Sequence, residues 1–310
     1  MNKLMDVLII GGGPAGLSAA MSLGRIGRTA LVCDDARPRN EASEHLNNFP
    51  TQDGIHPATW RKEARRDLEK YKTIQFFSGS VASVEKHTNF FRARLSSGEV
   101  KDFRKVILAY GIQDRLPAIP GLKELWGKAV FHCPYCHGFE VRNHKLGLVG
   151  NGKFLAHGIP MFSALSKDVV VFTNGPADFP EELKLQMKKN NIEIVEKKIK
   201  KLLFEGTRLQ GLEFEDGTAK ERDALFATPL LPFQMKSDIG QSLGCEKNDM
   251  GLYQVNEMKQ TSVPGVFAAG DNMTMMQSVL QAAASGSMAG AGAVFELVNE
   301  DFLKGNSYEI

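Results

Sequence analysis

Apolar residues along this chain form short continuous runs, separated by glycine turns and by segments with helical spacing. The first run covers residues 4–10 and is followed by the glycine turn 11–16, a helical pattern over 17–26 and a second run at 29–33. Continuous runs of strand length are typical of parallel strands that are buried on both faces. The order of strand, helix and strand therefore predicts an α/β unit.

A second and less regular unit of the same kind lies in the middle of the chain. Its first strand is Leu146–Val149, its turn is Gly150-Asn151-Gly152 and its next strand is Asp168–Thr173. Gly158 and Pro160 are expected to interrupt the helix between them, because proline lacks a backbone donor and clashes with the preceding turn. Two such units predict two Rossmann-like three-layer domains.

The first glycine turn carries the fingerprint of a dinucleotide site. Gly11 would form the tight turn, Gly13 would let the backbone approach a pyrophosphate, and Gly16 would allow close packing of helix on strand. The amino terminus of the following helix offers N–H groups and a positive dipole. Asp34 ends the next strand, where an acid can accept hydrogen bonds from a ribose hydroxyl.

The second glycine turn lacks most of that recognition chemistry. Thr173 and Asn174 stand where the first unit has its acid, and Leu155 occupies the third glycine position. Binding of NAD(P)H at Gly150 and Gly152 is therefore left open by the residues themselves.

Cys133-Pro134-Tyr135-Cys136 lies between the two glycine turns and has the spacing of a redox-active thiol pair. Pro134 favours the first position of a helix, which would leave Cys133 at the amino-terminal cap. A thiol there has a lowered pKa, and the thiolate is the nucleophile. His137 is expected to exchange the thiol proton, whereas His132 is more simply structural.

Other interpretations of these cysteines are less favoured. Cys136-His137 completes the attachment signature of a c-type haem, which is added outside the cytoplasm. A zinc site would need two further ligands, and the remaining Cys33 and Cys245 have no paired spacing. Cys33 ends an apolar strand and is expected in the core. No metal site is predicted, and redox cycling of the pair is the favoured hypothesis.

Charge and hydropathy limit the partners and the location. The chain has 38 Lys and Arg against 36 Asp and Glu, so no strong field attracts nucleic acid or an anionic membrane. No apolar run has the length of a bilayer span. A strand pattern begins at Leu4 without a long apolar leader, so a cytoplasmic location is expected. In that reducing compartment, a structural disulfide framework is not expected.

Two later strands end in residues that fit the same cofactor site. One runs over Lys105–Leu108 and ends in Ala109-Tyr110-Gly111, and the other runs over Val266–Ala269 and ends in Gly270-Asp271. A helical pattern over 277–294 follows and is rich in alanine and glycine. These small residues would let the helix lie close to a planar ring or to a neighbouring backbone.

On these motifs the chain resembles the low-molecular-weight thioredoxin reductases, which are two-domain flavin disulfide reductases, along almost its whole length. The resemblance implies FAD, a homodimer, and a FAD domain interrupted by a smaller NAD(P)-binding-like domain that carries the cysteines. The implied bounds are 1–116 and 243–310 for the FAD domain and 117–242 for the smaller one. It implies Asp271 on the ribityl chain and Gln277 at the flavin pyrimidine edge. The whole implied FAD-binding set is Gly11, Gly13, Pro14, Ala15, Gly16, Asp34, Gly111, Gly270, Asp271, Gln277 and Ser278.

The redox centre departs from that family at one position. His137 stands where these reductases usually have an acid, and this version is similar to the thioredoxin-reductase-like dithiol oxidases that close disulfides in natural products such as gliotoxin and holomycin. The resemblance implies that Cys136 approaches flavin C4a and that Cys133 exchanges with the external sulfur.

Three functions follow from the resemblance. The first is a reductase that passes electrons from NAD(P)H through FAD to a thioredoxin-like protein or a small disulfide. The second is an oxidase that takes electrons from a small dithiol and gives them to dioxygen. The third is a flavin-bound redox sensor without turnover.

Overall fold

The chain of 310 residues is represented by a computed structural model that describes residues 4–227 and 233–305. The chain divides into two compact units. The first unit consists of the segment up to Arg39, of Ala58–Gln113, and of the segment from Gln234 onwards. The second consists of Asn40–Pro57 and Asp114–Phe233.

The strands, numbered in chain order, alternate with helices in both units. They are β1 Met5–Ile10, β2 Ala30–Asp34, β3 Ile74–Ser78, β4 Val81–Lys86, β5 Phe91–Leu95, β6 Val100–Leu108, β7 Ile112–Asp114, β8 Val130–Phe131, β9 Leu146–Val149, β10 Val169–Phe172, β11 Glu193–Val195, β12 Ile199–Glu205, β13 Arg208–Phe214, β14 Ala219–Glu221, β15 Ala224–Phe226, β16 Phe233–Met235 and β17 Val266–Ala268.

The helices range from a single turn to seven turns. They are α1 Pro14–Arg25, α2 Pro57–Leu68, α3 Leu122–Leu125, α4 Pro134–His137, α5 Gly152–Leu165, α6 Glu181–Lys189, α7 Ile239–Ser242 and α8 Val279–Leu303. The helix predicted over 277–294 is present, and it continues to Leu303.

The first unit is built on one sheet whose central strands are parallel. The strand order is β3-β2-β1-β6-β5-β4, and β17 pairs with the second half of β6. β1, β2, β3, β6 and β17 are parallel, whereas β4 and β5 form an antiparallel extension. Because β1 is buried on both faces, Val7 and Ile9 pack towards α1 and α8, while Leu8 and Ile10 pack on the opposite face.

Small residues bring α8 directly against α1 in the first unit. A Cβ atom added to Gly286 would lie 2.0 Å from the carbonyl oxygen of Ala15, and one added to Gly290 would lie 2.7 Å from that of Ala19. The alanine- and glycine-rich pattern of α8 therefore serves close helix–helix packing, which was one of its two predicted uses.

The second unit repeats the strand–helix–strand arrangement on a parallel sheet of order β11-β10-β9-β15-β8. One face of this sheet packs on α5. The other face packs on the antiparallel strands β12 and β13. Two Rossmann-like three-layer units are therefore present, as predicted.

The predicted interruption of the helix after the second glycine turn is wrong. α5 continues through Pro160 from Gly152 to Leu165. Leu155, Ile159 and Phe162 lie on successive turns of α5 and are buried in one core. We attribute the continuity to this packing, which holds the helix on both sides of the proline.

The bounds at 116/117 and 242/243, which separate the FAD domain from the smaller NAD(P)-binding-like domain, remain predictions. The division into compact units falls at 113/114 and 233/234, earlier at both crossings, and assigns Asn40–Pro57 to the second unit. Within residues 4–227 and 233–305, no helix combines the length and the apolar character needed to cross a membrane.

Candidate functional site

The first glycine turn has the close contacts that a dinucleotide fingerprint requires. A Cβ atom on Gly16 would lie only 1.9 Å from the carbonyl oxygen of Gly11, so the start of α1 sits directly on the turn. Gly11 has a φ of +111°, a conformation that side chains rarely allow. Both glycines are therefore required by the backbone itself.

Gly13, by contrast, faces open space. A Cβ atom on Gly13 meets no atom of the described residues within 4 Å, its chain neighbours aside. Gly13 is also the N-cap of α1, and no side chain in the described part of the chain caps that helix. Open space beside an uncapped helix amino terminus fits a bound pyrophosphate.

Asp34 lies beside this turn, at the end of β2. Its carboxyl group packs against Gly12, where an added Cβ would lie 2.6 Å from the Asp34 carboxyl carbon. Asp34 accepts a hydrogen bond from the Ala36 N–H at 3.2 Å, and Arg65 lies 3.6 Å from the carboxylate. The acid is thus at the position where a ribose hydroxyl is expected.

Arg39 joins the two residues that the sequence resemblance places nearest the flavin. Its guanidinium Nη1 donates to Asp271 at 3.0 Å and to the side-chain oxygen of Gln277 at 2.6 Å. Its side chain is only 16% exposed. Sequence reasoning missed Arg39, because the residue lies in an irregular segment without a motif and 232 positions from Asp271.

The remaining predicted cofactor residues lie at strand ends and helix starts of the first unit. Gly111 and Gly270 both have positive φ, at 68° and 84°. The Gly270 N–H donates to the Ser285 hydroxyl at 2.9 Å, and Ser278 caps α8 by accepting from the Gln281 N–H at 3.1 Å. Pro14 and Ala15 open α1.

The cysteine segment folds as predicted, with Cys133 as the N-cap of α4 and Pro134 at its first position. The N–H groups of Cys136 and His137 both donate to the Cys133 carbonyl at 3.2 Å. Both cysteines are present as thiols and are partly exposed. Because α4 is a single turn, its dipole is small.

His137 is held from two sides. Its ring stacks on Phe131, with ring centroids 4.4 Å apart and an interplanar angle of 14°. Its Nε2 lies 3.0 Å from the Ser43 hydroxyl oxygen. Burial, with a smaller contribution from the nearby His45, lowers the pKa of His137 to about 4, so its ring is neutral at physiological pH.

Side chains of its own unit hold the loops around the second glycine turn. Asn151 Oδ1 accepts from the N–H groups of Gly152 at 3.0 Å and Asp178 at 2.7 Å, and its Nδ2 donates to the Pro176 carbonyl at 2.7 Å. The Thr173 hydroxyl donates to the Gly175 carbonyl at 2.6 Å. These side chains organise the loops around Gly150 and Gly152.

The other two cysteines are structural. Cys33 is 2% exposed, and burial raises its pKa to about 12. Cys245 is also buried, and its sulfur lies 3.4 Å from the Thr261 hydroxyl. The predicted core position of Cys33 is confirmed. No group of three potential metal ligands is found within residues 4–227 and 233–305.

Comparison with known proteins is consistent with this arrangement. A thioredoxin reductase of Claviceps purpurea is 35% identical over 308 residues, which cover 96% of this chain and 95% of the relative. A thioredoxin reductase of Aspergillus oryzae is 32% identical over 317 residues, covering 97% and 99%. The crystal structure of an oxidoreductase from Agrobacterium tumefaciens superposes with a TM-score of 0.88 at 33% identity, covering 96% and 99%.

The family profile described as pyridine nucleotide-disulphide oxidoreductase matches residues 5–286. That match takes in both glycine turns, the cysteine pair and the start of α8. The chain therefore belongs to the pyridine nucleotide-disulphide oxidoreductase family.

Proposed function

We propose that Cys133 and Cys136 are the redox centre of this FAD-dependent thiol–disulfide oxidoreductase. The observation that carries the proposal is their placement on α4, with Cys133 as the N-cap and both thiols partly exposed. Cys33 and Cys245, by contrast, are buried with raised pKa values. Thiols with raised pKa values make poor nucleophiles near neutral pH.

The first unit provides the residues that would hold FAD. The space in front of Gly13 would receive the pyrophosphate, and Asp34 would accept from the ribose of the adenosine half. Asp271 and Gln277, oriented by Arg39, would contact the ribityl chain and the flavin edge. When bound, FAD supplies a two-electron acceptor and donor.

The cysteines have different roles in this proposal. Cys133 would exchange with the external sulfur, and Cys136 would exchange electrons with bound FAD. His137 accepts the thiol proton when a thiolate is needed and returns it to the leaving sulfur.

The first candidate direction is that of a reductase. NAD(P)H is then the electron donor, and a thioredoxin-like protein or a small disulfide is the acceptor. Support comes from the names of the relatives, two of which are thioredoxin reductases that align over nearly the whole chain.

A dithiol oxidase is the second candidate, and the second glycine turn favours it. The Gly152 N–H already donates a hydrogen bond to the Asn151 side chain. The Asp178 carboxylate lies 3.5 Å from where a Cβ added to Gly152 would be. A carboxylate beside the turn opposes binding of a phosphate there. An oxidase takes its electrons from a small dithiol, passes them to dioxygen, and does not need that turn.

Anaerobic titration of the FAD-containing protein distinguishes the two directions. For the reductase, NADPH or NADH is expected to bleach the flavin absorbance band within a single turnover. For the oxidase, dithiothreitol bleaches the band while both nicotinamides leave it unchanged, and hydrogen peroxide forms in air. Absence of bleaching by all three reagents would contradict the proposed redox centre.

The first unit also offers a surface for the expected homodimer. On α8, Leu280, Met288 and Phe295 lie on one face and are 45%, 42% and 64% exposed. Ala284 and Ala291 continue the same face, which leaves an apolar stripe of the kind that marks protein interfaces.

A cytoplasmic location remains a prediction.

Phe295→Glu is expected to convert the dimer to monomers, because it places a charge at the most exposed large side chain of the α8 stripe. Light scattering after size-exclusion chromatography measures the mass. Leu185→Glu is the matched control, since Leu185 is 58% exposed on α6 and lies outside the stripe. A wild-type protein that elutes as a monomer would contradict the assignment.

A further inference from the structure

The segment Asn40–Pro57 is an ordered part of the second unit. Its backbone closes on itself, with hydrogen bonds of 2.8 Å from the Leu46 N–H to the Ile55 carbonyl and from the Gly54 N–H to the Leu46 carbonyl. Gly127 makes room for it, because a Cβ on Gly127 would lie 2.5 Å from the Ala42 carbonyl oxygen. The segment is thus fixed against the unit that carries the cysteines.

Asn47 of this segment holds the backbone of the redox helix. Its Nδ2 donates to the Cys136 carbonyl at 2.8 Å and to the Glu140 carboxylate at 3.2 Å. The Cys136 carbonyl lies in the last turn of a helix, where carbonyl groups lack intrahelical partners. Asn47 therefore fixes α4 relative to Ser43, four residues earlier in the same segment.

Ser43 determines which nitrogen of His137 carries the proton. The Ser43 hydroxyl has one hydrogen, and it donates to the His45 carbonyl at 2.9 Å. A carbonyl can only accept, so the Ser43 oxygen is left to accept from His137 Nε2 at 3.0 Å. This arrangement requires a hydrogen on Nε2.

The other ring nitrogen is then an unprotonated acceptor. Nδ1 of His137 is buried and finds no hydrogen-bond partner in the part of the chain that the structure describes. The opposite tautomer would bury an N–H group without a partner, which is rarer in proteins than an unsatisfied acceptor. The stack on Phe131 fixes the plane of the ring.

The titratable groups near His137 lie on the segment Asn40–Pro57 and just after α4. His45 acts on the ring directly, and Glu140 is linked to the backbone of α4 through Asn47. His45 opposes a positive charge on the ring, which adds to the effect of burial. The ring is thus neutral at physiological pH.

We propose that Ser43 is a positioning residue that holds His137 in the Nε2–H tautomer and leaves Nδ1 without a hydrogen. The inference rests on the proposed redox role of Cys133 and Cys136 and names a residue that acts on that same site.

Nitrogen NMR of the FAD-containing protein with labelled histidine tests the tautomer. We expect a protonated Nε2 and a bare Nδ1 for His137 in the wild type. Ser43→Ala is expected to populate the Nδ1–H form. It should also slow the exchange of the reduced protein with dithiodipyridine about fivefold, the effect of one lost hydrogen bond. Its rate–pH profile should change shape around the lowered pKa of His137, which is about 4.

Ser43→Thr keeps a hydroxyl and is expected to restore both the tautomer and the exchange rate. Ser163→Ala is the matched control, because Ser163 donates to the Pro160 carbonyl in α5 of the same unit. A wild-type spectrum with hydrogen on Nδ1 would overturn the proposal, even if Ser43→Ala did not fold. So would a Ser43→Ala protein with an unchanged tautomer and an unchanged pH profile.

These readouts are independent of catalytic turnover. Tautomer and stoichiometric thiol exchange are measured on the reduced protein without NAD(P)H or dioxygen. A failure of the redox function would appear in the anaerobic flavin titration and not in these measurements.

Discussion

Cys136→Ser is expected to lower turnover of any disulfide or dithiol by at least about a thousandfold, because a serine hydroxyl cannot exchange with a disulfide. The protein should remain folded and yellow, since Cys136 lies in a single-turn helix of the second unit while the predicted FAD residues belong to the first. Steady-state kinetics and the flavin absorbance band measure the two effects.

The two cysteine variants differ in what they trap. In Cys136→Ser the outer thiol of Cys133 remains, so reaction with dithiodipyridine should leave a stable mixed disulfide that mass spectrometry detects. Cys133→Ser should also lose turnover, without that adduct at position 133. Full activity of Cys133→Ser would show that the outer-nucleophile assignment is wrong.

Cys245→Ser is the control for both variants. Cys245 is buried beside the Thr261 hydroxyl, which can hydrogen-bond to the new serine. Turnover should therefore be kept. An equal loss of activity in this variant would mean that the effects are structural.

Gly16→Ala and Gly13→Ala are expected to fail in different ways, although both remove a glycine from the same turn. The added methyl group of Gly16→Ala would lie 1.9 Å from a backbone oxygen, so the start of α1 must move. We expect a loss of about 3 kcal/mol in the free energy of unfolding of the apoprotein. Urea denaturation followed by circular dichroism measures it.

The Gly13→Ala methyl group enters open space and meets an extended backbone that alanine adopts readily. Stability of the apoprotein should stay within about 1 kcal/mol of the wild type. FAD affinity should fall at least about tenfold, because the methyl group occupies the proposed place of the pyrophosphate. Isothermal titration calorimetry with FAD measures the affinity. An unchanged affinity would show that the pyrophosphate does not bind beside Gly13.

Much of the fold is readable from local patterns. The run 4–10, the glycine turn and the acid at Asp34 predict β1, α1 and β2, and the structure has all three. Cys133 as an N-cap followed by Pro134 predicts α4. Each of these features depends on a few neighbouring residues, so it can be predicted from the sequence alone.

Contacts between distant segments are not readable in the same way. Pro160 is a helix breaker by local rules, yet α5 passes through it because three buried side chains hold the helix to its sheet. Arg39 and Ser43 lie in a segment without regular pattern. Their partners Asp271 and His137 are 232 and 94 positions away.

The sequence by itself therefore determined the class of fold, the flavin family and the pair of thiols, since each follows from residue types at short and fixed spacing. The tertiary structure alone decided what surrounds the chemistry: the arginine that joins Asp271 to Gln277, the hydrogen bonds of Asn151 at the second turn, and the serine beside the ring of His137. These features depend on hydrogen bonds between remote parts of the chain. A hydrogen bond forms only within a narrow range of donor–acceptor distances and angles. Spacing along the sequence does not specify such distances; only the packed backbone does.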